Sequence, residues 1–157
     1  MKRPAKQVQY SLGVLTGKKR GAGTDANVWA TLFGEKGDTG QRPLRRSAEH
    51  RDKFQRGNLD TFVLDAVDLG RLTKLRIGHD DSGPGSGSSA SKALLQSQHH
   101  RFEGWYLEKV TVAVVGEKRQ PPVDFPCDRW LAKDEEDGAV VRDLFPAGIS
   151  LQIFCVF

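Results

Sequence analysis

A chain of 157 residues and 17.4 kDa suits one domain whose core needs no metal or disulfide to hold it. Two cysteines, Cys127 and Cys155, make no disulfide framework, the N-terminal stretch has no apolar leader core, and no apolar run approaches the ~20 residues of a membrane span; together these predict a soluble protein of a reducing, intracellular setting. A formal net charge of +4 with pI near 9.2 is mild: it predicts first a solvated basic surface, and second attraction to an anionic membrane, a nucleic acid or an acidic partner.

Lys2, Arg3, Pro4 and Lys6 make residues 1–7 a linker-like, disordered start. Tyr10, Leu12 and Val14 then alternate with Ser11 and Gly13, the pattern of a half-buried strand, which stops at Thr16 and Gly17 before the basic run Lys18, Lys19 and Arg20. The polar loop GAGTDAN (residues 21–27) leads into a β-branched and aromatic strand at residues 28–33. A turn cluster at 34–40, a short strand at 41–44 and a charged connection at 45–53 with helical character follow, and residues 60–66 alternate again. The strongest strands are predicted at 72–79 and 105–115, where Leu75, Ile77, Leu107, Val110, Val112 and Val114 recur at period two. Between them residues 82–91 are a Ser/Gly run too poor in apolar surface to offset its ordering entropy, predicted to be disordered. Residues 121–131 are extended by their prolines but hold Phe125, Cys127, Trp130 and Leu131, an edge element laid on the core. Val140, Val141, Leu144 and Phe145 close the series. About eight short strands with no long helix predict an antiparallel β-sandwich, and Trp29, Trp105 and Trp130 are expected in its core with their indole N–H groups on backbone acceptors.

The marked residues fall in a telling order: Tyr10 and LTG (15–17), GAGTDANVW (21–29), FQRGNLDTF (54–62), LG (69–70), IGHDDSG (77–83), GWYLEKV (104–110) and FPCDRWL (125–131). In this order they resemble a PLAT domain, also called the lipoxygenase homology or LH2 domain, from Val8 to Pro146. The resemblance implies a C2-like sandwich of two four-stranded sheets at residues 8–147, with a flexible loop inserted at 83–103, a tail at 148–157 and a place within a larger multi-domain protein. Such domains accompany lipoxygenases, lipases, polycystins and Rab-interacting proteins, and the form here most resembles tandem members of sensory hair-cell stereocilia. It implies a non-catalytic module that docks its parent on membrane-associated protein partners, in the cytoplasm at the membrane. The alternative is a peripheral module for anionic lipids, tuned by calcium; no cofactor is required and no nucleic acid is expected.

Two sites are weighed. The GTDAN loop is read first as turn chemistry, Gly21 and Gly23 allowing positive φ while Thr24, Asp25 and Asn27 bond nearby N–H groups. By resemblance it is half of a calcium site, Gly23 and Thr24 offering carbonyls and Asp25, Asp80 and Asp81 carboxylates. Gly21 stands where binders carry an acid, which leaves that site poor in charge. Lys18, Lys19 and Arg20, with Phe102 from the insert, are candidate lipid contacts, each cation contributing on the order of 1 kcal/mol at an anionic surface. Arg42, Arg45, Arg46, Arg51 and Lys53 make a second basic region. Enzyme signatures are absent: residues 13–18 have the wrong spacing for a P-loop, no G-x-S-x-G occurs, and His50, His79, His99 and His100 make no metal set with Cys127. His79 is expected to brace the loop after it.

Overall fold

The computed structural model describes residues 5–82 and 104–148. Nine strands account for its regular structure: β1 (Gln7–Thr16), β2 (Val28–Gly34), β3 (Gly37–Asp38), β4 (Arg42–Pro43), β5 (Leu59–Val67), β6 (Leu72–His79), β7 (Trp105–Val114), β8 (Val123–Leu131) and β9 (Val141–Leu144). Every pairing is antiparallel. One sheet runs β5-β1-β7-β8; the other runs β3-β2-β6-β9, with β4 pairing the same edge of β2 as β3. The two short strands thus act as one interrupted edge strand, and the expected two four-stranded sheets are present with that edge split. No helix among the described residues is long and apolar enough to cross a membrane.

The period-two pattern explains the sandwich. Along β1, Tyr10, Leu12, Val14 and Thr16 are buried while Ser11, Gly13 and Leu15 are less so. β5 adds Asp60, Phe62, Leu64 and Ala66 from one side, and β7 adds Trp105, Leu107, Val110 and Val112 from the other. Val28, Ala30, Leu32, Leu75, Ile77 and Leu144 face them from the second sheet. Each such aliphatic side chain removed from water contributes about 1.5–3 kcal/mol, which is what presses the two layers together. Polar ties fix their offset: Tyr10 Oη accepts the Leu69 N–H at 2.9 Å, and His79 Nε2 lies 2.7 Å from the Leu131 carbonyl, joining β6 to β8.

Four sequence expectations differ from the structure. Trp105 is fully buried, but Trp29 and Trp130 are only half-buried, because each stands on the outward side of its strand, Trp29 over Gly78 and Trp130 opposite Tyr106. The buried indole also bonds a side chain and not backbone, Trp105 Nε1 donating to Thr16 Oγ1 at 2.9 Å. Residues 45–53 are irregular and not helical, since Ala48 N–H donates to the Thr61 carbonyl at 2.9 Å and Glu49 accepts the Thr61 N–H at 2.7 Å, so the segment bonds to β5 and not along itself. β1 also begins at Gln7, inside the expected linker.

The expected edge element is a strand over residues 123–131. β8 buries Phe125 and Leu131, carries Pro126 where the missing N–H costs nothing at an edge, and half-buries Cys127, whose thiol burial pushes up to about 11. The inserted loop, Phe102, His99, His100, Cys155 and the tail beyond Gly148 lie outside the described residues.

Candidate functional site

The loops 17–27, 44–58 and 132–140 meet at one end of the sandwich with residues 80–82, and the sequence explains how each is held. Gly17 is required: a Cβ there would lie 2.4 Å from the Tyr106 ring, and the Gly17 N–H donates to the Tyr106 carbonyl at 2.9 Å. Tyr106 N–H returns a bond to the Ala22 carbonyl at 2.9 Å. Gly23 packs so closely on the next loop that a Cβ would stand 3.1 Å from the Phe54 carbonyl and 3.2 Å from the Arg56 nitrogen. Thr24 N–H donates to that same Phe54 carbonyl at 3.0 Å, while Thr24 Oγ1 accepts Ala26 N–H at 3.1 Å.

Asn27 and Asp80 bind each other reciprocally. Asn27 donates its backbone N–H and its amide to the Asp80 carboxylate at 3.1 and 2.8 Å, and Asp80 N–H donates back to the Asn27 carbonyl at 3.1 Å. Ser82 adds its N–H at 3.0 Å and its hydroxyl. Burial alone would raise the Asp80 carboxyl, but the bonds from Ser82 and Asn27 outweigh it and hold it at about 2. Asp81, at φ 59, gives its N–H to His79 Nδ1 at 3.0 Å and its carboxylate to Lys133 at 3.1 Å. With Nε2 against a carbonyl and Nδ1 accepting an N–H, His79 is the neutral Nε2–H tautomer and braces this loop as expected. Asp25 meets Gln55 Nε2 at 3.1 Å.

The five residues proposed for calcium thus surround one crevice wall and an adjoining turn, with each carboxylate engaged by a protein donor. Among the described residues no three His, Cys, Asp or Glu side chains are disposed to hold a metal ion. In this arrangement the donor set does not fit calcium: Asp80 would have to release Asn27 and Ser82, and Asp81 would have to release Lys133.

The cations are brought together. Lys18, Lys19 and Arg20 are exposed, Arg56 Nε donates to the Lys18 carbonyl at 2.8 Å, and Gly57 N–H donates to the Gly17 carbonyl at 2.9 Å, so the loop at 44–58 is tied to the loop at 17–27. Lys19 Nζ sits 4.5 Å over the Tyr106 ring, and Tyr106 meets Trp130 edge-on at 5.3 Å. The surface is therefore a cationic rim beside two half-buried aromatic rings on β7 and β8. Sequence reasoning missed Arg56, Tyr106 and Asp60. Asp60 was findable: it occupies the inward phase of a strand whose other inward residues are Phe62, Leu64 and Ala66, and a carboxylate there must serve donors.

The match with known proteins accords with this geometry. The family model for the PLAT/LH2 domain matches residues 10–145. The human lipoxygenase homology domain-containing protein 1 is 41% identical over 90% of the chain, and human polycystin-1-like protein 3 is 33% identical over 91%. The chain spans 6% and 7% of the lengths of those relatives. Among solved structures, a coral 8R-lipoxygenase described as calcium-activated through a C2-like domain superposes with a TM-score of 0.62 at 22% identity, over 88% of this chain and 17% of that one. A calcium-dependent 11R-lipoxygenase superposes with a TM-score of 0.57 at 25% identity, over 88% and 17%.

Proposed function

The chain belongs to the PLAT/LH2 domain family, and on that premise we propose that it is a non-catalytic module that docks the protein carrying it on an anionic membrane surface. The observation behind this reading is the joining of two loops into one cationic rim, Lys18, Lys19, Arg20 and Arg56, beside Tyr106 and Trp130. Cations near an anionic leaflet contribute about 1 kcal/mol each, and Tyr and Trp rings favour the headgroup level, where an apolar body and a polar tip are both satisfied. The Lys19 ammonium stacked on Tyr106 keeps its remaining directions free for phosphate or carboxylate oxygens. No step is assigned to calcium.

Sedimentation with vesicles tests this. The chain pellets with phosphatidylcholine vesicles containing phosphatidylserine and stays in solution with phosphatidylcholine alone, and the combined change Lys18→Glu, Lys19→Glu, Arg20→Glu weakens binding by on the order of 100-fold, since three lost contacts amount to about 3 kcal/mol. Equal binding by the triple variant would refute the reading.

A second reading, docking on a membrane-associated protein, is favoured by a different surface. Leu59 is 47% and Val63 53% exposed on β5, and they lie opposite Leu15 and Ser11 on the outward face of the first sheet. Charged substitutions at Leu59 and Val63 that abolish recruitment while vesicle binding survives would move the function to this face.

A further inference from the structure

Arg45, Arg46, Arg51 and Lys53 of the second basic region lie on the irregular loop between β4 and β5, which is anchored by the buried Asp60 carboxylate together with the bonds of Ala48 and Glu49 to Thr61. Asp60, fully buried near the start of β5, accepts the Ser47 hydroxyl at 2.5 Å and the Phe54 N–H at 2.9 Å, with His50 Nδ1 at 3.2 Å. Ser47 Oγ in turn accepts the N–H groups of Glu49 at 3.2 Å and His50 at 3.1 Å. Phe54 is kept at φ 62, a left-handed conformation in which a bulky aromatic persists only under restraint, here by Asp60 at its N–H and Thr24 at its carbonyl. The Ser47 hydroxyl therefore shares the Asp60 carboxylate with Phe54, whose carbonyl clasps the GAGTDAN loop through Thr24.

The surroundings of Ser47 are those of a modifiable serine. It is half-buried on an irregular segment, preceded by exposed Arg45 and Arg46 and followed by exposed Ala48 and Glu49. We propose that Ser47 is a phosphorylation site for a basic-directed protein kinase and that its modification opens the 44–58 loop; the effect on docking rests on the membrane reading above. In the transfer, Ser47 Oγ bonds the γ-phosphorus of ATP as the bond from that phosphorus to the bridging oxygen breaks and ADP departs, the hydroxyl proton passing to the kinase base and then to water. The ester oxygen has no hydrogen left for Asp60. The phosphate, carrying about −1.5 to −2 charges, stands against the buried Asp60 carboxyl group with no hydrogen to offer it. Arg45 and Arg46 offer it partners only on the outward side, so attraction and repulsion both draw Ser47 away from the core. The basic rim then loses net positive charge and its ordered support.

The experiment uses the whole chain with the catalytic subunit of the cyclic-AMP-dependent kinase and ATP–magnesium, with a peptide of residues 41–51 as the control substrate. Mass spectrometry locates the phosphate, amide exchange reads the loop, and vesicle sedimentation reads docking. The expected result is phosphate on Ser47, none in that loop for Ser47→Ala, and incorporation roughly tenfold faster in Asp60→Asn, in which the hydroxyl is released by local opening. Exchange at Phe54 and His50 rises in the modified chain and in Ser47→Asp more than in Ser47→Ala, which keeps the idea testable if Asp60→Asn does not fold. A control peptide that is modified while Ser47 of the folded chain stays unmodified overturns the proposal, as does a modified chain with unchanged exchange at Phe54. Failure of the unmodified chain to pellet with anionic vesicles refutes the docking reading instead, and the exchange data then judge the loop opening alone.

Discussion

Two aromatic clusters, each with one tryptophan, lie back to back across β7. Inside, Trp105 meets Phe54 edge-on at 5.3 Å, and Phe54 stacks on Phe62 at 5.3 Å, all three sealed from water. Outside, one residue along the strand, Tyr106 meets Trp130 at the same separation, with the Lys19 ammonium over its face. The pleat alone separates them, because successive side chains leave a strand on opposite faces. The inner cluster is part of the cohesion of the fold, and the outer one offers rings and charge to whatever approaches. For the two tryptophans, residue type did not assign these roles; phase did.

The contrast can be broken at several strengths. Trp105→Ala has the largest expected effect, about 3–5 kcal/mol in denaturant melts, since it empties a volume three rings share. A loss under about 1 kcal/mol would mean the inner cluster is not core. Asp60→Ala comes next, at about 1–3 kcal/mol, because it strands the Phe54 N–H and the Ser47 hydroxyl in a buried place. Trp130→Ala is expected to cost no more than about 1.5 kcal/mol, the scale of one ring pair, while weakening vesicle binding. A cost matching that of Trp105 would erase the difference between the clusters.

The smallest stability effects belong to the loop end. Reversing Lys18, Lys19 and Arg20 should leave stability within about 0.5 kcal/mol while weakening vesicle binding by on the order of 100-fold, the signature of a surface that works outward. Acid sharpens the same boundary. The folded Asp80 carboxyl lies near 2, below its ordinary value of 3.8, so its bonds to Asn27 and Ser82 stabilise fully above about pH 4 and are lost as pH falls through the folded value. Amide exchange at Asn27 and Ser82 should rise in that window before the β7 amides respond. Calcium at ~10 mM should leave the melting temperature nearly unmoved; a clear rise, cancelled by Asp80→Asn with Asp81→Asn, would show that these carboxylates exchange their protein partners for the ion.

Most of the sandwich was legible. Alternation located β1, β5, β6 and β7, because burying one face of a strand forces period two on the residues that form it, and β-branched and aromatic content located β2. Leu75 and Ile77, or Val110 and Val112, need no knowledge of their partners to be assigned inward. The turn reading of Thr24 and Asn27 was legible too, since short polar side chains bond backbone two residues away. Trp29 and Trp130 misled for the converse reason: large aromatics are usually buried, and at Trp130 the local pattern is disturbed where the β7–β8 register shifts between Leu107 and Lys109.

By itself the sequence determined the elements, the two-layer architecture and the family, because backbone periodicity and turn chemistry are local and the family motifs are read in order along the chain. The tertiary structure decided what those residues do with one another. Asp80 anchors Asn27 and Ser82, Arg56 joins Lys18 across 38 positions, and Asp60 holds Ser47, His50 and Phe54 together. A carboxylate's role depends on which donors reach it within about 3 Å, and residues distant along the chain are brought within that reach only when the sheets pack.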